Sequence, residues 1–291
     1  MMPHGPMVHG FYDEGTGSVA YIVADPGTGR CVIIDPVLGF NHASGATDTR
    51  LADEIADNIQ AQHLTVEWVL DTHPHADHLS AVAYLGEQLG APTGIGARVA
   101  AVQEIWADIY NLSGLQTEGR CYWDRLFAEG DRFRVGGLEV EVLFSPGHTA
   151  ASVTYLIGDA AFVHDTVFMP DSGTARTDFP GGDARALYRS IQRIFALPPE
   201  TRLFIGHDYR PGGREACWES TVAEQRARNI HLSDGVSEEE FVGFRENRDR
   251  TLPLPGLMLA ALQVNLRGGR LPEPEANGTS YLKLPLNRFG L

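Results

Sequence analysis

The residues best suited to chemistry in this sequence lie between positions 73 and 78, where three histidines and one aspartate occur within six residues. Neutral imidazole nitrogens and an ionised carboxylate are good ligands for zinc or iron. A chance run of histidines or a solvated polar loop explains this spacing poorly. The segment therefore predicts a metal site, with the candidate ligands His73, His75, Asp77 and His78.

Three more candidate ligands follow along the chain, each directly after a predicted strand. His148 follows a Pro-Gly turn, which favours a role as a metal ligand over that of an ordinary surface histidine. Asp165 offers a carboxylate, with a turn or helix-cap role as its plain alternative. His207 follows a short apolar strand, and its alternative is a buried histidine that orients another ligand. Ligands that follow separate strands can converge at one edge of a sheet.

Alternating and helical patterns predict the elements that position these residues. Strands alternate with helices twice along the chain, which favours two sheets with helices packed outside. We predict strands at 18–24, 31–35, 66–70, 133–135, 138–144, 152–157, 161–164 and 203–205, helices at 51–61, 79–89 and 183–195, and a partly helical segment at 97–118.

The C-terminal part of the chain has a different character. We predict exposed helices at 219–229 and 238–248 and, from Thr251 onward, an extended tail rich in proline and glycine. We expect residues 1–210 to form a metal-binding domain and residues 211–291 to form an extension packed on it. Apolar residues of the tail need a cover, and exposed ones favour a homo-oligomer, a dimer or larger; they are Leu257, Leu259, Leu262 and Val264.

Composition excludes several classes of protein. The 291 residues are 43% hydrophobic and 21% charged, which is typical of a globular chain. A membrane helix is not expected, because no apolar run approaches about 18 residues. The net charge of −15 disfavours nucleic acid as a partner. Three well-separated cysteines and the lack of a secretory signal predict a cytoplasmic protein without disulfides; Cys121 and Cys217 have no flanking basic cluster and are expected to be inert thiols.

As a set, the candidate ligands resemble the ligand series of the metallo-β-lactamase superfamily over about residues 10–210. The resemblance implies an α/β fold, an αββα sandwich with the metal at one edge of the two sheets. Two branches fit the motif. In the hydroxyacylglutathione hydrolases (glyoxalase II), seven ligands hold two metals and a metal-bound hydroxide attacks a thioester. In the persulfide dioxygenases, one iron is held by the equivalents of His73, His148 and Asp165.

Several stretches are similar to the dioxygenase branch. They are DTHPHADHLSA at 71–81, TARTDF at 174–179, GHDY at 206–209 and TVAEQRARN at 221–229. The chain departs from better-known members at 180–182, where it has Pro-Gly-Gly in place of glutamines, and in its longer tail after about Arg250. In these two respects it resembles bacterial proteins described as β-lactamase-like hydrolases.

The resemblance implies one Fe(II) per chain, which zinc can replace, and oxidation of glutathione persulfide by O2 and water to sulfite and glutathione. Four residues then orient ligands or water, or become ligands if the site is dinuclear: His75, Asp77, His78 and His207. We expect catalytic roles for Asp77, His207 and Tyr209.

Other roles and functions stay open at this stage. Arg176, with Asp178, binds a glutathione carboxylate or forms a structural ion pair with that neighbour. The main alternative function is a zinc-dependent hydrolase of glutathione thioesters. A metal-containing protein without catalysis is a third hypothesis, which seven convergent polar groups disfavour, because a structural zinc needs four ligands.

Overall fold

Two six-stranded β-sheets frame the part of the chain described by this computed structural model, residues 5–112, 115 and 122–289. In chain order the strands are β1 (Met7–Tyr12), β2 (Val19–Ala24), β3 (Arg30–Ile34), β4 (Val37–Asn41), β5 (Ala46–Asp48), β6 (Thr65–Leu70), β7 (Leu79–Ser80), β8 (Thr93–Gly96), β9 (Arg125–Phe127), β10 (Arg132–Val135), β11 (Leu138–Phe144), β12 (Val153–Ile157), β13 (Ala160–His164), β14 (Arg202–Ile205) and β15 (Glu219–Thr221). The first sheet has the order β1-β2-β3-β6-β8-β9, the second runs from β10 to β15 in sequence order, and β5, β4 and β7 form a small third sheet.

Helices cover the outer faces of the two sheets. They are α1 (Arg50–Ala61), α2 (Val82–Leu89), α3 (Val99–Tyr110), α4 (Ala184–Phe195), α5 (Val222–Arg228), α6 (Glu238–Asp249) and α7 (Met258–Asn265). Helices α1, α2 and α7 contribute to the apolar cluster on the first sheet, and α4, α5 and α6 to the cluster on the second.

Strand β2 shows why the chain forms a four-layer sandwich. Side chains alternate between the faces of a strand, and β2 is apolar at every position. Val19, Tyr21 and Val23 join the cluster between the sheets, where they meet residues of the second sheet such as Phe162. The alternate residues belong to the cluster under the helices. A strand buried on both faces is a continuous apolar run, and the αββα sandwich is confirmed.

Several element boundaries differ from those expected. The predicted helix at 219–229 begins as β15, which pairs with β14, and α5 starts only at Val222, where Thr221 accepts a hydrogen bond from Glu224 N. The helix predicted at 79–89 starts at Val82. Six further strands were not predicted, namely β1, β4, β5, β7, β8 and β9. The segment predicted as partly helical at 97–118 contains α3, and positions 113, 114 and 116–118 lie outside the described residues, as does Cys121.

The C-terminal segment is not entirely extended, which corrects the sequence-based expectation. Helix α7 lies within it, and Leu262 and Val264 are buried while Leu257 and Leu259 are partly buried against the two neighbouring apolar clusters. The chain itself therefore covers these four residues. After α7, the described residues form no helix or strand, and large apolar side chains there are exposed, namely Leu271, Tyr281, Leu284 and Leu286.

Helices α5 and α6 are also less exposed than predicted. Phe241 of α6 is fully buried and packs in the same apolar cluster as α4. Arg245 and Asp249, one turn apart on α6, are both buried and form an ion pair with each other at 2.8 Å. Among the described residues, no helix combines the length and apolar character needed to cross a membrane.

Candidate metal centre

The loop that follows β6 carries the densest group of candidate ligands. Asp35, after β3, accepts hydrogen bonds from both the backbone nitrogen and the hydroxyl of Thr72, each at 2.7 Å. The Thr72 hydroxyl is also 3.0 Å from Nδ1 of His73. These contacts orient the fully buried His73 ring, whose Nε2 has no hydrogen-bond partner among the residues that the structure describes. That nitrogen is thus available to a metal.

His75 and His78 lie on the same loop and are buried as well. Nε2 of His75 is 3.1 Å from a carboxylate oxygen of Asp35. Nδ1 of His78 is 3.0 Å from the Ser18 hydroxyl and 3.1 Å from Asp77 Oδ2. In the described part of the chain, the opposite nitrogens, Nδ1 of His75 and Nε2 of His78, have no hydrogen-bond partner. Buried polar atoms are rarely left unpaired, so these nitrogens point to an ion.

The second sheet supplies His148 and Asp165. Nδ1 of His148 lies 2.8 Å from the backbone carbonyl of Arg176. Because a carbonyl only accepts, Nδ1 must donate and Nε2 keeps its lone pair for a ligand. Asp165 follows β13, and a Cβ at position 206 would come within 2.4 Å of its Oδ1. Only glycine at 206 leaves this carboxylate in place.

His207 links carboxylates that come from the two sheets. Its Nδ1 is 2.6 Å from Asp165 and its Nε2 is 2.5 Å from Asp77. Burial lowers the pKa of His207, but the two carboxylates outweigh it and raise that pKa well above its usual range. Burial alone would raise the pKa of Asp77 and of Asp165; the charge of His207 and its hydrogen bonds hold both below their usual range. Without a metal, this trio is an ion pair with a doubly protonated imidazole.

All seven predicted ligands converge on this edge of the sheets. His73, His148 and Asp165 offer ligand atoms that lie within 4.8 Å of one another. Asp77, Asp165 and His207 form a second such group, and His75, Asp77 and His78 form a third. Burial and the neighbouring His75 keep the pKa of His73 well below its usual range, so the imidazole is neutral as coordination requires. The donor set fits zinc or iron.

A cavity of about 560 Å³ opens onto this group. Asp77, His148 and Asp165 line its floor. Phe168 and Phe179 contribute apolar walls. The far side comes from residues beyond position 207, which were not predicted as site residues: His231, Arg245, Arg248, Leu252, Pro253, Leu254, Pro255 and Gly256. They carry no compact motif, so sequence inspection had no signal for them.

Of the predicted substrate residues, Arg176 lines the cavity and Asp178 does not. The Arg176 guanidinium makes two hydrogen bonds to Asp178, at 2.7 and 2.8 Å, and a third to the Pro253 carbonyl at 2.6 Å. This is the structural pairing that the sequence left open. It fixes the segment whose Arg176 carbonyl orients His148. Tyr209, 59% exposed, stacks over His207 at the cavity edge.

His231 was not among the predicted site residues, and its hydrogen bonds to Thr174 fit a structural role. Its Nδ1 accepts from Thr174 N at 2.9 Å, which requires an unprotonated nitrogen. Burial, together with the charges of Arg245 and Arg248, lowers the pKa of His231 to about 4. An unfolded histidine titrates near about 6.5. Between these values the unfolded chain binds a proton that the folded chain does not, so acidification favours unfolding.

We therefore expect the metal-free protein to lose stability from pH 7 to 4.5 more steeply than its His231→Asn variant does. Asparagine can still accept from Thr174 N but cannot titrate. The difference should reach about 2 kcal/mol, measured as free energy of urea unfolding in the presence of a chelator. The exposed His42, replaced by asparagine, is the control and should follow the unmodified protein. Parallel curves for the unmodified protein and the His231 variant would contradict the assignment.

Comparison with known proteins places this geometry among metal enzymes. Residues 13–207 match the family described as the metallo-beta-lactamase superfamily. The chain is 63% identical over 282 residues to a beta-lactamase hydrolase-like protein of Xylella fastidiosa. This alignment covers 97% of the chain and 65% of that relative, so the chain spans just under two thirds of its length.

Other relatives align over nearly their whole length. Glyoxylase B2 of Dictyostelium discoideum is 44% identical over 277 residues, with 94% of each chain covered. The mitochondrial persulfide dioxygenase ETHE1 of Mus musculus is 31% identical over 261 residues, covering 89% of this chain and 87% of that one. The crystal structure of ETHE1 from Myxococcus xanthus superposes with a TM-score of 0.72 at 32% identity, covering 91% of this chain and all of that one.

Proposed function

Since the chain belongs to the metallo-β-lactamase superfamily, we propose that it is an iron-dependent persulfide dioxygenase. In this reaction glutathione persulfide, O2 and water give glutathione, hydrogen sulfite and one proton. The outer sulfur gives up four electrons, which O2 accepts, and the sulfur–sulfur bond breaks as the sulfur–oxygen bonds form. Glutathione leaves as the thiol.

The observation that carries the proposal is the group of two histidines and one carboxylate beside the cavity, His73, His148 and Asp165. A ligand set of this type suits non-haem Fe(II), which when bound would bring a thiolate sulfur and O2 together on one ion. The relatives named persulfide dioxygenase, at 31% identity over most of both chains, support the same assignment.

The remaining polar residues at the cavity floor have roles that follow from their contacts. Asp77 lines the cavity and is hydrogen-bonded to His207, which is itself held by Asp165. We assign to the Asp77–His207 pair the task of holding a proton, at His207 Nε2, next to the bound substrate. Tyr209, stacked on His207, shields this pair from solvent on one side.

The cavity walls suit an anionic thiol with a flexible body. Phe168 and Phe179 line the cavity with apolar surface that excludes water, and the 252–256 segment closes the far side. At the outer end Arg248 is exposed, and within the described part of the chain its guanidinium donates only to the Thr251 hydroxyl, at 3.3 Å, and pairs with no carboxylate. Arg245, by contrast, is committed to Asp249. Arg248 is thus the cation best placed to meet a carboxylate of the substrate.

Replacing Arg248 by alanine is expected to raise KM for glutathione persulfide about tenfold and to leave kcat nearly unchanged, because the contact is equally strong before and during the reaction. Steady-state oxygen uptake measures both constants. Arg250→Ala is the matched control, since Arg250 lies two residues away, pairs with Glu246 and does not line this cavity. An equal effect of both substitutions would point to general loss of positive charge.

The proposal is tested by oxygen uptake of protein loaded anaerobically with Fe(II) and given glutathione persulfide. We expect one iron per chain and one sulfite formed for each O2 consumed. Protein that holds its iron and yet takes up no oxygen would refute the proposal.

A second function is favoured by a specific observation, the unpaired nitrogens of His75 and His78. With Asp77 these residues form a further group of potential ligands, which supports two metals instead of one. The relative named glyoxylase B2 fits this alternative, a zinc-dependent hydrolase of glutathione thioesters. Two zinc ions per chain together with thioester cleavage would favour it.

A further inference from the structure

The side chain of Asn265, the last residue of α7, reaches across to the ligand-bearing loop. Its Nδ2 donates to the backbone carbonyls of His75 and His78, both at 2.7 Å. Its Oδ1 accepts from the backbone nitrogen of Ser80, also at 2.7 Å. Asn265 is 1% exposed. Three short, buried hydrogen bonds thus join the C-terminal helix to a loop nearly 190 residues earlier in the chain.

The loop depends on these bonds because its own backbone offers little support. Within the described residues, the backbone groups of 73–78 make no hydrogen bond to other backbone groups. Buried carbonyls without partners are costly, so the Asn265 amide satisfies a real need. It also fixes the positions of the His75 and His78 carbonyls, and thereby the backbone positions from which the two imidazole side chains project.

A second contact holds the same two segments together. Gly269 follows α7 with φ of +75°, and a Cβ there would lie 2.5 Å from the Ser80 carbonyl. The turn after the helix therefore packs directly on the end of the ligand loop. Val264 of α7 adds an apolar contribution, since it shares a buried cluster with Leu79.

We propose that Asn265 is a positioning residue for the metal centre: it holds the loop in the conformation that binds metal, so that docking of α7 and metal binding stabilise each other. This inference rests on the metal site of the proposed function but not on the reaction performed there. Partners that orient ligands typically change metal affinity by about 10–100-fold when they are removed.

Asn265→Ala is expected to weaken Co(II) and Zn(II) binding about 10–100-fold, measured by chelator competition, and to alter the visible spectrum of the Co(II) protein. Gln263→Ala is the matched control. Gln263 lies on the same helix, is also 1% exposed, and exchanges two hydrogen bonds with the backbone of Lys283 in the tail, at 2.8 Å each, none with the loop. Its loss should destabilise the fold without changing metal affinity.

Two results would overturn the inference: unchanged affinity in the Asn265 variant, or an equal loss of affinity in the Gln263 variant. If Asn265→Ala does not fold, Asn265→Asp provides the test, since it keeps an acceptor for Ser80 N and loses the two donors. Hydrogen exchange of the unmodified protein is independent of any variant. Bound Zn(II) must slow exchange at the amides of 261–265, and unchanged exchange there would equally overturn the inference.

These measurements use neither persulfide nor oxygen. The two proposals can therefore fail separately. If the unmodified protein binds Co(II), loses Co(II) affinity as expected on substitution of Asn265, and yet oxidises no persulfide, the dioxygenase proposal is refuted and the role of Asn265 stands.

Discussion

Oxygen uptake with glutathione persulfide is expected to fall at least about a thousandfold when His73 or Asp165 is replaced by alanine, a loss of about 4 kcal/mol in transition-state stabilisation. Each substitution removes one member of the group whose ligand atoms lie within 4.8 Å of one another. Two ligands that remain hold a divalent ion weakly, so the variants should also lose bound iron, measured by metal analysis after gel filtration.

His42→Ala is the control for these variants, because His42 is an exposed histidine at the tip of the hairpin β4–β5 and belongs to none of the ligand groups. It should retain iron and full activity. Protein with alanine at 73 or 165 that keeps one iron per chain and a normal rate would show that the reaction occurs elsewhere. Circular dichroism separates loss of metal from loss of fold.

His207→Ala should have the second largest effect, on stability as well as activity. The substitution leaves the carboxylates of Asp77 and Asp165 without their shared partner in a buried site. Removing one member of a buried ion pair typically costs about 3–5 kcal/mol. We expect the metal-free variant to unfold at correspondingly lower urea concentration near pH 6, and the oxygen uptake of the iron-loaded variant to fall strongly.

The pH dependence of this difference follows from the direction of each pKa shift. The carboxylates have lowered pKa values, so their share of the stabilisation is present above about pH 4 and is lost on further acidification. His207 has a raised pKa, so its share is fully present below about pH 6.5 and is lost only as pH rises through the folded-state value. The stability difference between the unmodified protein and the variant should therefore be largest between about pH 4 and 6.5.

Metal content of the His207 variant also distinguishes the two candidate functions. His73, His148 and Asp165 are untouched, so a mononuclear iron protein should keep about one iron per chain. A dinuclear zinc protein should lose one of two ions. If the metal-free variant were as stable at pH 6 as the metal-free unmodified protein, the ion-pair description would be contradicted.

The convergence of the candidate ligands could be predicted from the sequence because their positions are local features. Each of His148, Asp165 and His207 lies within four residues of the end of a strand that the apolar pattern identifies. The ends of neighbouring strands meet at a sheet edge, so convergence follows from the topology. The continuous apolar run of β2 similarly indicates that both of its faces are covered.

The features that could not be predicted from the sequence depend on contacts between distant parts of the chain. Helix α7 is apolar on nearly every side and is flanked by proline and glycine, so it lacks the pattern of an amphipathic helix. A polar Asn265 within this apolar run was the available signal, but only the fold shows that it meets a loop nearly 190 residues away. Residues 219–221 directly precede a helical segment in the sequence, but they form a strand because β14 offers a free edge.

Two different stretches of the chain build the inner and the outer part of the cavity. The seven candidate ligands lie between positions 73 and 207, whereas the outer wall is built by His231, Arg248 and the 252–256 segment. Substitutions in the outer wall can therefore change which substrate fits without replacing any of the candidate metal ligands. In this architecture the metal chemistry and the choice of substrate can diversify separately, and an engineer could exchange the wall while keeping the reactive centre.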